Sequence, residues 1–243
     1  MACVSNTGRK AGIQCFRVPE CEGLEPLDGL LPLNGVNQTT PPTAPGSVSD
    51  VVFNPSQTAL FVSIKGKGTD RGYLYAYSVD EATHRLNPNP TISRPPGLMI
   101  DFSLTFLSDS TAVVTDPAYG ASYLSITPDL KVSVSKKITI PGQRATCWSV
   151  SSEEFNAVYV LDGASPNVTA LDPMSGEISF VIPGNMTSMG SLDAAAAGSR
   201  LYVLQASPAV AVFDLAKPGL VQYLNLASLG PRPGWTGMAV YSA

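Results

Sequence analysis

Two arginines, a lysine and three aspartates have the types and positions to work on a small anion in this 243-residue chain. Arg144 stands in Gly142-Gln143-Arg144-Ala145-Thr146-Cys147-Trp148. Its planar guanidinium can hold a carboxylate through two parallel hydrogen bonds, with Gln143 and Trp148 beside it as substrate-binding side chains. Lys65 and Arg71 flank a glycine-rich stretch, Lys65 to Gly72, that can fold over a ligand. Asp101, Asp116 and Asp162 each fall at a strand end, as acid or base groups that could move one proton. Each has a plainer reading beside it: Arg144 as a solvated loop side chain, Lys65 to Gly72 as a surface loop, the aspartates as turn caps.

The single histidine, His84, lies in Glu81-Ala82-Thr83-His84-Arg85, a setting typical of a solvated side chain. With no second histidine and no Gly-x-Ser-x-Gly, a serine-hydrolase triad is disfavoured. Phosphate loop, dinucleotide fingerprint and His-Glu-x-x-His are all absent, so no cofactor is expected. The four cysteines, Cys3, Cys15, Cys21 and Cys147, lack the paired short spacing of a zinc site, and no metal is expected. If residues 1–17 form a hairpin turning near Arg9, Cys3 and Cys15 face one another across two strands. They then read equally as a disulfide or as two small buried side chains.

A hydrophobic fraction of 44% against 14% charged residues describes a folded chain rather than a disordered one. The net charge of -4, with no Lys/Arg-rich run, disfavours nucleic acid and anionic membrane surfaces as partners. No apolar stretch is long enough to cross a membrane as a helix. Residues 1–20 carry no basic segment followed by an apolar one, so no signal peptide is expected within the chain. Three glycosylation acceptors are present, at Asn37, Asn167 and Asn185.

The elements that must position these residues repeat. Ala2-Cys3-Val4, Leu60-Phe61-Val62, Ala112-Val113-Val114, Val158-Tyr159-Val160 and Leu201-Tyr202-Val203 each form an apolar triplet; those after the first each follow a polar turn, with central residues 58, 52, 46 and 43 positions apart. One four-stranded propeller blade takes about 40 to 50 residues. An alternating segment precedes each triplet after the first, and another follows each, at 12–16, 73–77, 122–126, 167–171 and 209–213. Each unit therefore reads as strands a, b and c with a weaker outer strand d. The 21 Pro and 21 Gly argue against long helices. Residues 192–197 have helical propensity but occupy a strand a position, where tertiary context should win. The expected fold class is all-β, a β-propeller with about five blades in one domain. The repeats run approximately 1–45, 46–97, 98–143, 144–187 and 188–232, with 233–243 a closing strand. The first repeat starts at its strand b, which suggests that about 80 to 100 residues of preceding blades are missing.

Several of these residues also carry a family resemblance. Ala2 to Gly8, Ala11 to Phe16, Phe53-Asn54 with Leu60 to Lys65, Gly142 to Trp148 and Gly237 to Tyr241 resemble the fungal secreted 3-carboxymuconate cyclase-like proteins, within the seven-bladed lactonase-type propellers. The resemblance implies an extracellular glycoprotein, truncated at its N-terminus, acting on a small carboxylated lactone or muconate-type substrate. An active site is then expected on the face shared by the d-to-a and b-to-c loops, with Arg144 and nearby cations on substrate carboxylates and an aspartate for proton transfer. His84 falls on the opposite face. The competing reading is a non-catalytic secreted glycoprotein that binds a protein partner through a propeller face.

Overall fold

Short alternating segments punctuated by turn formers fold as antiparallel meanders in the computed structural model, which describes residues 1–20, 23–230 and 235–241. The first sheet holds β1 (Ala2–Asn6), β2 (Gly12–Arg17), β3 (Glu25–Pro26) and β4 (Leu31–Pro32), with β3 and β4 both paired to β2. In the other four sheets the strands pair in chain order. The second sheet is β5 (Val48–Phe53), β6 (Ala59–Ile64), β7 (Tyr73–Ser78) and β8 (Thr91–Ser93). The third is β9 (Leu104–Ser108), β10 (Thr111–Asp116), β11 (Gly120–Ile126) and β12 (Val132–Thr139). The fourth is β13 (Thr146–Ser152), β14 (Ala157–Asp162), β15 (Ser165–Leu171) and β16 (Ile178–Ile182). The fifth is β17 (Ser191–Ala197), β18 (Arg200–Gln205), β19 (Ala209–Asp214) and β20 (Gly219–Asn225). The five apolar triplets lie in β1, β6, β10, β14 and β18, one in each sheet.

Burial explains why the second strands are the most legible. β6 and β14 are buried at every residue because they have a strand on each side and packed residues on both faces. The outermost strands β16 and β20 are largely exposed and carry mixed residues. The alanine-rich segment is strand β17: Ala194 and Ala196 pack against a core that includes Leu201 and Val203, so context overrides helix propensity.

The chain divides into two compact units, Met1–Ala112 with Leu124–Ser135, and Val113–Tyr123 with Lys136–Ala243. In the first, Ile13 and Cys15 of β2 pack with Leu60, Val62 and Ile64 of β6 and with Tyr73, Tyr75 and Tyr77 of β7. In the second, Val168 and Ala170 of β15 meet Leu201 and Val203 of β18 and Ala211 and Phe213 of β19 in the same manner. By that correspondence β2 is a third strand and β1 a second one. Cys3 and Cys15 are direct register partners in β1 and β2 and are joined by a disulfide.

The closing strand expected over 233–243 is not formed in its described part. Residues 233, 234, 242 and 243 lie outside the described residues, as does Cys21, and 235–241 enter no ladder. The Met238 N–H instead donates to the carboxylate of Asp193, 2.7 Å away.

Candidate functional site

The strongest candidate is built on the loop between β6 and β7, in the first unit. Lys67 and Asp70 exchange backbone hydrogen bonds of 2.8 and 3.0 Å, closing a miniature hairpin over Gly68 and Thr69. Gly68 takes a φ of +62°, a turn conformation that side chains other than glycine rarely adopt. Gly66 and Gly72 bracket this hairpin and let it lie on residues 99–101. A Cβ on Gly66 would stand 1.9 Å from the Met99 carbonyl oxygen, and one on Gly72 would stand 1.5 Å from Asp101 Oδ1. The sequence stretch Lys65 to Gly72 is thus an ordered, seated element.

Two adjoining cavities open beside the hairpin and are lined in part by its charged residues. The larger, about 630 Å³, has an apolar wall from Pro45, Met99, Ile100 and Phe102 and a polar wall from Lys65, Thr69, Asp70 and Arg71. The smaller, about 220 Å³, shares Lys65, Asp70 and Arg71 and adds Asn37, Lys67 and Tyr73. Both are walled by a loop leading into a first strand and by a loop joining second and third strands. Three cations against one carboxylate make the smaller chamber electropositive. The Lys65 ammonium sits 4.0 Å from the Phe102 ring centroid and the Arg94 guanidinium 3.7 Å from that of Tyr73, so cation–π contacts set the posture of both. Among the described residues Arg71 forms no ion pair. The Ser63 hydroxyl donates to the Phe102 carbonyl at 2.8 Å and fixes the apolar wall. The phenol of Tyr75 donates to the Asn34 carbonyl; burial, then the neighbouring Tyr73, pushes its pKa far up, so it remains a donor.

The remaining sequence candidates fall into two groups. Asp101, in the first unit, is fully buried behind Gly72 and lines neither cavity. Asp116, Gln143, Arg144, Trp148 and Asp162 lie in the second unit, and most are engaged in its structure. Asp162 Oδ2 accepts the Arg144 N–H at 2.6 Å, while Oδ1 accepts those of Ala145 and Ala164 at 3.0 and 2.8 Å. Gln143 accepts from the Thr146 N–H and hydroxyl at 3.1 and 3.0 Å and donates to the Pro117 carbonyl at 3.2 Å. Asp116 is fully buried and accepts the Ala118 N–H at 3.0 Å. Trp148 packs against the core of that unit. The Arg144 side chain is exposed. The crevice lined by Gln143 and Asp162 holds only about 50 Å³, well below the ~300 Å³ at which small-molecule sites begin. His84 is exposed at a turn, with φ +52° and its N–H on the Asp80 carbonyl.

Sequence reasoning placed Lys65 and Arg71 in this loop and missed Lys67, Asp70 and the wall of Met99, Ile100 and Phe102. The charge–glycine alternation Lys65-Gly66-Lys67-Gly68 was the available signal for the hairpin. Among the described residues, no three His, Cys, Asp or Glu side chains are grouped to hold a metal ion.

No protein-family model and no curated protein matches the chain. Solved structures do. The periplasmic gluconolactonase of Pseudomonas aeruginosa superposes with a TM-score of 0.67 at 19% identity, over 96% of this chain and 69% of that one. A putative 6-phosphogluconolactonase of Bacteroides fragilis gives 0.66 at 12% identity, over 91% and 66%. A chain of a mitotic checkpoint complex gives 0.61 at 8%, over 90% and 62%. The chain thus spans 62 to 69% of the length of these three. The fold is that of the lactonase-type β-propellers. Likeness to a checkpoint chain as well shows that the fold alone does not specify the chemistry.

Proposed function

We propose that the chain holds a small carboxylated lactone or muconate-type anion at the hairpin Lys65–Gly72 and opens or closes its lactone ring. The observation that carries this reading is the convergence of Lys65, Arg71 and Asp70 on a cavity whose opposite wall is apolar. Arg71 and Lys65 hold the carboxylate and stabilise negative charge developing on the ring carbonyl oxygen. Asp70 is the carboxylate that can exchange a proton there. In the hydrolytic direction it takes a proton from water as the water oxygen bonds to the carbonyl carbon, and the ring C–O bond breaks as the leaving oxygen takes a proton back. The names of the two lactonase neighbours favour this direction.

A second reading, binding without turnover, is favoured by one observation. Asp116 and Asp162 hold backbone amides and Asp101 lies behind Gly72, which leaves Asp70 as the one carboxylate among the described residues lining the cavities. One experiment addresses both readings: ring opening or closure followed with carboxylated lactones and muconate, alongside calorimetric binding of the same compounds. Arg71→Ala and Lys65→Met should each lower kcat/KM at least about ten-fold, and Arg144→Ala should change it less than about two-fold. Loss of activity with Arg144→Ala alone would move the site to the second unit. Binding without conversion would establish the second reading.

A further inference from the structure

The three glycosylation acceptors differ sharply once folded. Asn167 lies within β15, half-buried, its Oδ1 accepting the Gly184 N–H at 3.2 Å; Thr169, which completes its triplet, is 7% exposed. A sugar there would have to force open the crevice that Asn167 itself lines. Asn185 lies in the loop before β17, where its Oδ1 accepts the Thr187 N–H and hydroxyl at 3.0 and 2.8 Å, and it lines neither hairpin cavity. Asn37 and Thr39 are exposed, while Gln38 between them is buried. The Gln38 amide explains the alternation: Nε2 donates to the Pro45 carbonyl at 3.0 Å, and Oε1 accepts the Thr43 N–H at 3.0 Å. That clamp turns Gln38 inward, and Asn37 lines the smaller hairpin cavity beside Lys65, Lys67 and Arg71.

We propose that Asn37 carries an N-linked glycan and that this glycan roofs the smaller, electropositive chamber of the hairpin site. The inference rests on reading the hairpin as an anion site. A second observation supports the modification itself: the Cys3–Cys15 disulfide joins two β-strands, and such bonds persist in oxidising compartments, the compartments in which asparagine-linked glycans are attached. A roof over the smaller chamber leaves the larger, apolar-walled one as the entrance. The glycan therefore selects against compact polyanions that need all three cations.

The test uses the full chain secreted from a glycosylating host, with citrate as the anionic probe. Peptide mapping by mass spectrometry should find a glycan on Asn37 and none on Asn167. Calorimetry should show citrate binding at least about five-fold weaker to the glycosylated chain than to chain trimmed to a single N-acetylglucosamine or to Asn37→Gln. Asn185→Gln should leave binding unchanged. An unmodified Asn37, a glycan on Asn167 in folded protein, or trimming without effect on citrate would each overturn the proposal. Citrate binding to unglycosylated chain is measured first: if it is absent, or survives loss of both Lys65 and Arg71, the hairpin reading has failed. If it is present and depends on those cations, only the glycan is on trial.

Discussion

The hairpin 65–72 and the turn at 142–146 each carry an arginine and a glycine-marked turn, yet they satisfy their backbone amides in different ways. In the hairpin the backbone is satisfied by other backbone groups, through the Lys67–Asp70 pair and through Gly46 and Ser47, and Lys65, Asp70 and Arg71 line the cavities. At 142–146 the amides of Arg144 and Ala145 take the Asp162 carboxylate, and that of Thr146 takes Gln143. Buried backbone donors must be satisfied. A side chain that does this work is not free to bind a ligand. Residue type therefore nominates a site, and the route of the backbone hydrogen bonds shows which nominated side chains, Asp162 and Gln143 among them, are already engaged.

The comparison breaks most clearly at Asp162. Asp162→Ala orphans three backbone N–H groups at about 1 to 3 kcal/mol each, discounted for partial solvation to about 3 kcal/mol in all, or ~6 to 12 °C in Tm for a chain of this size. Anion binding at the hairpin should survive when measured below the new Tm. A variant that melts within one or two degrees of wild type would show that Asp162 is not a structural staple. Next in size is Gly72→Ala, whose added methyl would overlap Asp101 Oδ1. Overpacking of this kind costs about 2 kcal/mol. Unlike Asp162→Ala, it should also weaken ligand binding, because the hairpin has to lift from residues 99–101. A stability loss with unchanged binding would separate the hairpin from the site.

The second and third strands were readable because burial on both sides demands sustained apolar runs. The outer strands β3 and β4 were not, since each pairs through only two residues, one of them proline. The tail read as a strand from the alternation in Thr236 to Tyr241, but alternation records which face is buried and says nothing about whether a partner edge exists. Lys65 and Arg71 were legible as charges in a glycine-rich loop. Their apolar wall was not, because Met99, Ile100 and Phe102 lie some thirty residues away in a loop with no periodicity. Nor was the amide-holding role of Asp162 legible: its bond to the Arg144 N–H spans 18 positions and exists only once β13 and β14 have paired.

A gentler substitution sharpens the contrast between the two arginines. Lysine keeps the charge but loses the planar two-point clamp. Arg71→Lys should therefore lower kcat/KM, or anion affinity if there is no turnover, by about five-fold, roughly 1 kcal/mol. Arg144→Lys should leave both unchanged, since its bond to Asp162 comes from the backbone. Equal effects at the two positions would remove the distinction on which the assignment of the site rests.

The smallest expected effect concerns a second carboxylate that holds amides as Asp162 does. Asp193 follows a bulge in β17; its Oδ1 accepts the Ala194 N–H at 2.8 Å and its Oδ2 accepts that of Met238 at 2.7 Å. Asp50 repeats the arrangement after a bulge in β5, with Val51 and Leu104 as donors, both at 2.8 Å. Burial raises the pKa of Asp193 above its ordinary 3.8, outweighing the opposing pull of the two amides. The folded state then binds a proton more tightly than the unfolded one, so stability from this group falls as pH rises through the window above 3.8 and recovers on acidification. The turn-capping aspartates Asp80, Asp129, Asp172 and Asp214 have lowered values, and their stabilisation is lost as pH falls below 3.8. Asp193→Asn removes the first effect and leaves the second. In urea melts from neutral pH down to about 4, wild type should gain stability relative to this variant, and hydrogen exchange at the Met238 amide should be faster at neutral pH in the variant. A wild-type-minus-variant difference that stays flat across that window, or runs the other way, would mean that solvent reaches the Asp193 carboxylate and that its hold on the tail resembles that of an ordinary turn cap.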